Sequence, residues 1–552
     1  MRPTDASTGA PASGQITSDS SARRTVYGKE PRGIGVSEDA HAATLDITTT
    51  PLRVNAARLL TALRDLARFG ADPNGGITRL GLSTQEAQAR EFLKSLGARA
   101  GLTTEIDPAG NLLIRRPNAD PDLPVLMFGS HVDTVRQGGW LDGAYGVVAA
   151  VEALTVLVEA GIAINRFEPV AVGFANEEGA LVQYPFWGSR AIAGLLDADS
   201  EKATDREGRP ARDYLLSIGG DPARLAEAAW PAGRIAAFLE LHIEQGPVLE
   251  QLGLDIGVVD GIVGRTIFAC EVSGEQQHAG TTPMPQRRDA LVSAAQLVTK
   301  VESLATELGA CSTATVGFMD VLPNTVNTIP GVVHINAEIR DTDPARIWLG
   351  ERLLASMTEH VAQASGVEIN LRVGDRSTPV LTDTGLQTVI VNATEALDLS
   401  WQAMPSGAGH DAQIIAALAP IGMIFVPSKG GVSHSPGEDT DAQALVSGAD
   451  VLVTTLAALL GGRSVERFNT LASGAARSVL ISCHGHDGQW IDRVLSHRPY
   501  WTVQSLMAAV HEGIVGQARR QPSASAPESE HEPTREELAR IACRQLEGWL
   551  VR

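Results

Sequence analysis

At 552 residues with 43% hydrophobic content, the chain is long enough for more than one domain and for sizeable cores. Its formal charge of −20 excludes nonspecific nucleic-acid binding as a main role, because a phosphate backbone selects Lys and Arg. Four separated cysteines (Cys270, Cys311, Cys483 and Cys543) without a CxxC pair exclude a disulfide framework and point to the cytoplasm, and no signal peptide or membrane-spanning stretch of ~18 uncharged residues is expected.

Residues 1–50 are rich in Ser, Thr, Ala, Gly and Pro, and a disordered leader is expected there. Over 51–261, VNAARLLTALRDLARFG has helical spacing, TTEIDP, NLLIRR and PVLMF read as short strands, and residues 146–161 read as a helix. This alternation predicts an α/β catalytic domain. Over 262–377 the order becomes strand, helix, strand, strand, helix, strand, which predicts an inserted ferredoxin-like α+β domain. The first sheet is expected to resume over 378–462. Residues 463–552 form an extension without an assigned role. Within it SVLISCHGHDGQW and YWTVQSLMAAVHEGIVGQA order locally, RRQPSASAPESEHEPTREE reads as a linker, and EELARIACRQLEGWLVR as an amphipathic helix.

Chemistry gathers at the ends of apolar runs. PVLMF leads into GSHVDTVRQGGWLDGAYGV with His131, Asp133 and Asp142. PVAVGFANEEG ends at Glu177 and Glu178, AAFLELHIEQG reaches His242, and IGMIFVPSKGGVSHSPGE reaches His434. Each motif alone is as well explained by a loop or a solvated turn. Metal-ligand side chains at the ends of several buried strands are not explained by packing. Water is a poor nucleophile at neutral pH, and two metal ions sharing it lower its pKa and polarise a carbonyl. That chemistry needs a bridging carboxylate, terminal His and carboxylate ligands, and a separate base. Asp142, flanked by glycines, is the expected bridge. His131, Asp142 and His242 are expected to hold one ion, and Asp142, Glu178 and His434 the other. Glu177 is the expected general base and acid, and Asp133 is expected to orient His131 through its second nitrogen. Mixed ligation of this kind accepts zinc or manganese, with cobalt or nickel also possible.

The motifs GGITRLGLS, GSHVDTVRQGGWLDGAYGV, FANEEGA, ELHIEQGPVLE, QHAGTTPMPQRRDA, LPNTVNTIPG, EIRD, SGAGHDA and HSPGED span about 55–462. In them the chain resembles the dinuclear metal amidohydrolases that include N-carbamoyl-L-amino-acid hydrolase, allantoate amidohydrolase and ureidopropionase. The resemblance implies a zinc-peptidase-like catalytic domain built on a mixed sheet, carrying the inserted domain as a lid and dimerisation element. It implies two divalent ions per subunit, a homodimer, and hydrolysis of a C–N bond in an N-carbamoyl or ureido acid with release of ammonia and carbon dioxide. Related aminopeptidases and deacylases usually carry an acidic ligand where this chain has His242, so LHIEQGPVLE points to the carbamoyl-amide branch. The resemblance also implies that His278 reaches an active site, commonly the partner subunit's, to hydrogen-bond the oxyanion. Asn327 would bind polar substrate groups, Arg340 would clamp a carboxylate, and Gln245 would recognise an amide. His410 and Asp411 either touch the ligand or brace the site, and His334 reads as structural. His484 and His486 in CHGHDG lack a completing ligand set. A deacylase or dipeptidase of the same fold is the alternative among enzymes. An inactive scaffold with an interacting tail is the alternative outside them, and the complete ligand set argues against it.

Overall fold

Four apolar runs in this sequence lack the alternation of a half-exposed strand, the pattern expected of strands buried on both faces. In the computed structural model, which describes residues 51–551 except 163, 165, 198–199, 201, 462–465, 470, 485–487, 499 and 516–534, they are the strands Val125–His131, Glu168–Phe174, Ile235–Ile243 and Ile421–Val426. The predicted leader and most of the predicted linker lie outside the described residues. The four strands run parallel, in the order Glu168–Phe174, Val125–His131, Ile235–Ile243, Ile421–Val426. Antiparallel strands extend this core on both sides. Leu112–Arg115 and Thr103–Ile106 lie beyond Glu168–Phe174, and Ile256–Ile262 lies beyond Ile421–Val426. Val380–Leu381 and Trp401–Ser406 pair with Ile256–Ile262 and complete a mixed sheet of nine strands.

Successive strand residues point to opposite faces, so one strand feeds two cores. Leu126 and Phe128 pack with the helices Ala144–Glu159 and Ala442–Gly461, while Val125 and Met127 join Val172, Phe238 and Phe425 on the other face. Ala442–Gly461 is long and apolar enough to cross a membrane by length and composition alone, although Asp450 interrupts it and it holds no run of ~18 uncharged residues. It is instead a core helix, 67% buried and packed against Ala144–Glu159. Its acidic residue, Asp450, accepts hydrogen bonds from the Val54 amide (2.7 Å) and from Arg53 Nη1 (2.9 Å), so it fastens the helix to the segment leading into Ala56–Leu66.

Between Ile262 and Val380 the chain leaves this sheet and builds a second, fully antiparallel one. Its order is Glu368–Ser377, Gly264–Ser273, Val332–Asp341, Thr313–Leu322. The helices Ala290–Thr306 and Pro344–Ser365 cover it, packing Leu297, Val301, Leu354 and Val361 against Phe268, Val272, Ile335 and Ile339. Each helix starts on an aspartate, Asp289 or Asp343, whose carboxylate accepts from first-turn amides. This is the ferredoxin-like arrangement.

In the extension the segments expected to order locally and the expected amphipathic helix are helical. Glu466–Asn469, Ser473–His484, Gln489–Ser496, Val503–Val515 and Arg535–Val551 are helices. They share a separate core that includes Phe468, Leu480, Trp490, Leu506, Val510 and Leu546. Trp501 fastens this module to the main body. It is buried in the main core, its ring lies 5.9 Å from Phe167, and its Nε1 donates to Asp383 Oδ1 at 2.8 Å. His484 closes one of these helices, and His486 lies outside the described residues.

Asp450→Ala leaves the Val54 amide without its acceptor inside the core. We predict a loss of about 1–3 kcal/mol in unfolding free energy, measured by urea denaturation. An unchanged midpoint would show that the anchor contributes nothing.

Candidate metal centre

Parallel strands leave their C-terminal ends along one edge, and in open α/β sheets that edge is where ligands bind. The register fills it here with polar side chains. Phe128 pairs with Leu239, so His131, three residues on, comes beside His242, and their rings lie 6.1 Å apart. His131 also pairs with Phe174, three residues before Glu177. Asp142 enters through a tight turn at Gly143, whose φ is 61° and where a Cβ would stand 2.4 Å from the His131 ring. Only glycine fits there.

Asp142 faces two ways. Its Oδ1 lies 3.1 Å from His242 Nε2 and 3.8 Å from His131 Nε2. Its Oδ2 lies 3.1 Å from His434 Nε2, which is 3.3 Å from Glu178 Oε1. The donor atoms of His131, Asp142 and His242 all lie within 4.8 Å of one another, as do those of Asp142, Glu178 and His434. Glu177 belongs to neither group, and its Oε2 is 3.8 Å from His131 Nε2.

The imidazoles are oriented from behind. His131 Nδ1 donates to the Asp133 carbonyl (3.0 Å) and His242 Nδ1 to the Ile243 carbonyl (2.8 Å), which turns each Nε2 toward the pocket. Asp133 therefore meets the second nitrogen of His131 through its main-chain carbonyl, with its carboxylate Oδ1 3.6 Å from the same nitrogen. That carboxylate accepts from the amides of Glu177 and Glu178, each at 3.1 Å, and sets the turn that presents both glutamates.

Charge is crowded in this pocket. Burial opposes ionisation of Asp142, but hydrogen bonds from His242 and His434 hold it well below the usual carboxylate range. Burial, then the Asp142 charge, pushes Glu178 up to about 8. Burial, then Glu178 and Asp411, raises Glu177 well above its ordinary value. Burial works against a charged His242, yet Asp142 outweighs it and pushes His242 up to about 9; the hydrogen bond to Asp142 does the same for His434. The carboxylates of Asp142 and Glu178 among the imidazole nitrogens of His131, His242 and His434 form a donor set that fits divalent cations.

Two supporting carboxylates were not identified from the sequence. Glu438 Oε1 accepts from the amides of Leu141 (2.9 Å) and Asp142 (3.0 Å), and its Oε2 accepts from Ser433 (2.8 Å), so it holds the loop that presents Asp142. Glu240 accepts from Ser130 (2.7 Å) and from the Ala412 amide (2.9 Å). The available signals were HSPGED, with Glu438 four residues past His434, and the placement of Glu240 two residues before His242 on one strand.

The expected substrate-side residues divide. Gln245 is at the pocket, with Nε2 donating to Asp142 Oδ2 at 3.0 Å and Oε1 buried without a partner. His410 braces it, with its ring 4.7 Å from that of His242 and its Nε2 2.7 Å from Ser406 Oγ; Asp411 is buried beside it. His278 and Asn327 are exposed on the inserted domain and are not brought to the pocket. His278 Nδ1 accepts from the Gly280 and Thr281 amides, and the Asn327 carbonyl accepts from the Ala279 amide. Arg340 pairs with Glu338 and donates through Nη1 to the Gly407 carbonyl at 2.8 Å, crossing from the inserted sheet to the loop before His410. His334 lies on a strand of the inserted sheet, 3.8 Å from Glu271 Oε2.

Residues 127–458, which contain every donor in the two groups, match peptidase family M20/M25/M40. The chain belongs to that family. It is 38% identical to an N-carbamoyl-L-amino-acid amidohydrolase of Paenarthrobacter aurescens, over 74% of this chain and 98% of the relative. It is 37% identical to the allantoate amidohydrolase of Escherichia coli K12, over 71% of this chain and 95% of the relative. The crystal structure of an amidase of the hydantoinase/carbamoylase family from Burkholderia multivorans superimposes with a TM-score of 0.68 at 33% identity, covering 74% of this chain and 98% of that one. The mixed α/β fold is thus that of the family, with the helical extension added after the matched region.

Glu438→Ala strips the Leu141 and Asp142 amides of their shared acceptor. We expect divalent-metal affinity to weaken by roughly 10–100-fold, read by titrating the metal-free protein with manganese. Unaltered affinity would mean that Asp142 is held in place without Glu438.

Proposed function

We propose that the protein is a metal-dependent amidohydrolase that cleaves a C–N bond in a small N-carbamoyl or ureido acid, releasing ammonia and carbon dioxide. The observation that carries this reading is one buried carboxylate, Asp142, whose two oxygens face two separate donor groups while Glu177 stands beside them. His131, Asp142 and His242 would hold one divalent ion, and Asp142, Glu178 and His434 the other. Zinc or manganese suits this set. Ions bound there polarise a carbonyl and lower the pKa of water.

The chain's own groups supply the rest. Glu177 takes a proton from water as the new C–O bond forms and returns it to the nitrogen as the C–N bond breaks. Its elevated proton affinity, caused first by burial, suits that exchange. Cleavage at the amino-acid nitrogen leaves carbamate, which separates into carbon dioxide and ammonia. Gln245 Oε1, buried and without a partner, suits a substrate N–H. His278 accepts two main-chain N–H bonds at Nδ1, so its proton sits on Nε2, the form that donates to an oxyanion. Arg340 and Asn327 would receive the acid end, which requires Arg340 to exchange its bond to Gly407 for a substrate carboxylate.

The homodimer is part of the same proposal. Thr313–Leu322 is an edge strand of the inserted sheet with Phe318 half exposed, which suits pairing across a two-fold axis. Cys270, Cys311 and Cys483 are buried thiols outside any disulfide, in keeping with a reducing cytoplasm.

Incubation with zinc or manganese and a panel of N-carbamoyl-L-amino acids, allantoate and ureidopropionate should release ammonia from at least one of them. Hydrolysis of N-acetyl or dipeptide substrates alone would sink the carbamoyl reading. Glu177→Gln should lower kcat by about 10²–10⁴-fold at unchanged metal content; a smaller loss would remove it as the proton carrier. Chelation should abolish ammonia release and lower the melting temperature, and added metal should reverse both. Full activity in the chelated protein would contradict the metal requirement.

A further inference from the structure

The inserted domain joins the main sheet through two short crossings. Val263 links Ile256–Ile262 to Gly264–Ser273, and Thr378–Pro379 links Glu368–Ser377 to Val380–Leu381. One side chain is bonded to both. Gln413, on the short helix Asp411–Ile415, has its Nε2 2.8 Å from the Thr378 carbonyl and 3.2 Å from the Val263 carbonyl. Two carbonyls can be satisfied only by the two N–H donors of the amide, which fixes its orientation.

The base of this side chain is tied to the pocket. Beside Gln413, the Ala412 amide donates to Glu240 Oε2 at 2.9 Å, and His410 packs on the ring of His242. The Val263 amide in turn donates to the Ser406 carbonyl at 3.0 Å, four residues before His410. The helix bearing Gln413 is therefore fixed to the pocket wall, and its tip holds both crossings. Any rotation of the inserted domain about Val263 and Thr378 redirects those carbonyls and must lengthen or break the two bonds. His278, Asn327 and Arg340 all ride on that domain.

We propose that Gln413 is a positioning residue: its amide, bonded to both crossings, sets the angle of the inserted domain and hence how His278, Asn327 and Arg340 meet the metal pocket. Its catalytic consequence rests on the hydrolytic reading given above, and its conformational consequence does not. Loss of the two bonds widens the range of angles, so the substrate-binding groups are less preorganised. The shift expected in the ratio of arrangements is about 5- to 30-fold.

The test is pulsed electron resonance between nitroxides at Gln85→Cys, on the main domain, and Glu359→Cys, on the inserted domain, in a Cys543→Ser background. The labelled metal-loaded protein is diluted with unlabelled chain, and no substrate is added. Gln413→Leu and the isosteric Gln413→Glu, which lacks the N–H donors, should both broaden or displace the distance distribution. Gln387→Leu is the control, because the Gln387 side chain donates to Thr382, past the second crossing; it should leave the distribution as it is. In steady-state assays, Gln413→Glu should raise KM by about 5- to 30-fold, with kcat and metal content little changed. A distribution identical in all variants, or displaced equally by Gln387→Leu, overturns the proposal. So does a loss confined to kcat or to metal content. Because the distances are read without substrate, their outcome is separate from failure of the hydrolytic reading, which would show as no ammonia from any ureido acid.

Discussion

A single carboxylate facing in two directions is the constraint on which the rest of the centre depends. Asp142 brings one oxygen to His242 and His131 and the other to His434, which lies against Glu178. This requires the carboxylate to stand between two loops, so the chain must turn directly behind it. Gly143 permits the turn, and Glu438 and Gln245 hold the carboxylate and its backbone in place. A buried negative charge placed this way tolerates burial only because positive or hydrogen-bonding partners surround it. The neighbouring glutamates then carry the electrostatic strain, and both bind protons more tightly than an exposed carboxyl does.

Rigidity and reach are divided between two parts of the molecule. The donor groups stand on or just past the ends of buried parallel strands, where register fixes them in relation to one another. The side chains proposed for a substrate's acid end and oxyanion stand on the inserted domain, which joins the main sheet through two short crossings. Arg340 crosses to Gly407, and Gln413 grips both chain crossings. Precise geometry at the donor groups would thus coexist with an adjustable approach of the proposed substrate-binding groups, a division that suits catalysis on a small molecule.

The helical extension adds a third body. About three quarters of this chain accounts for nearly the whole length of the P. aurescens relative, so the extension is an addition to that relative's plan. Its core is its own, and Trp501, which hydrogen-bonds Asp383, ties it to the main body. Asp383 also caps the helix Thr384–Ala396, so the extension docks on an element already fixed by local capping.

Much of the centre was legible in the sequence because its signals are local. An unbroken apolar run marks a buried strand, and a His or carboxylate just beyond it marks a strand-end ligand. The alternation of elements also announced the ferredoxin-like insertion. The hydropathy of Ala442–Gly461 was equally local but ambiguous, since a core helix and a membrane span share it, and only burial separates them. The sequence by itself determined which elements form and which side chains stand at their ends, since both depend on neighbours a few residues away. Tertiary structure alone decided that Asp133 serves His131 through its carbonyl, that Glu438 holds a loop 297 residues earlier in the chain, and that Gln413 reaches two crossings at once. Those choices are hydrogen bonds between distant segments. Their partners are selected by how sheets and loops come to rest against one another, which no short stretch of sequence records.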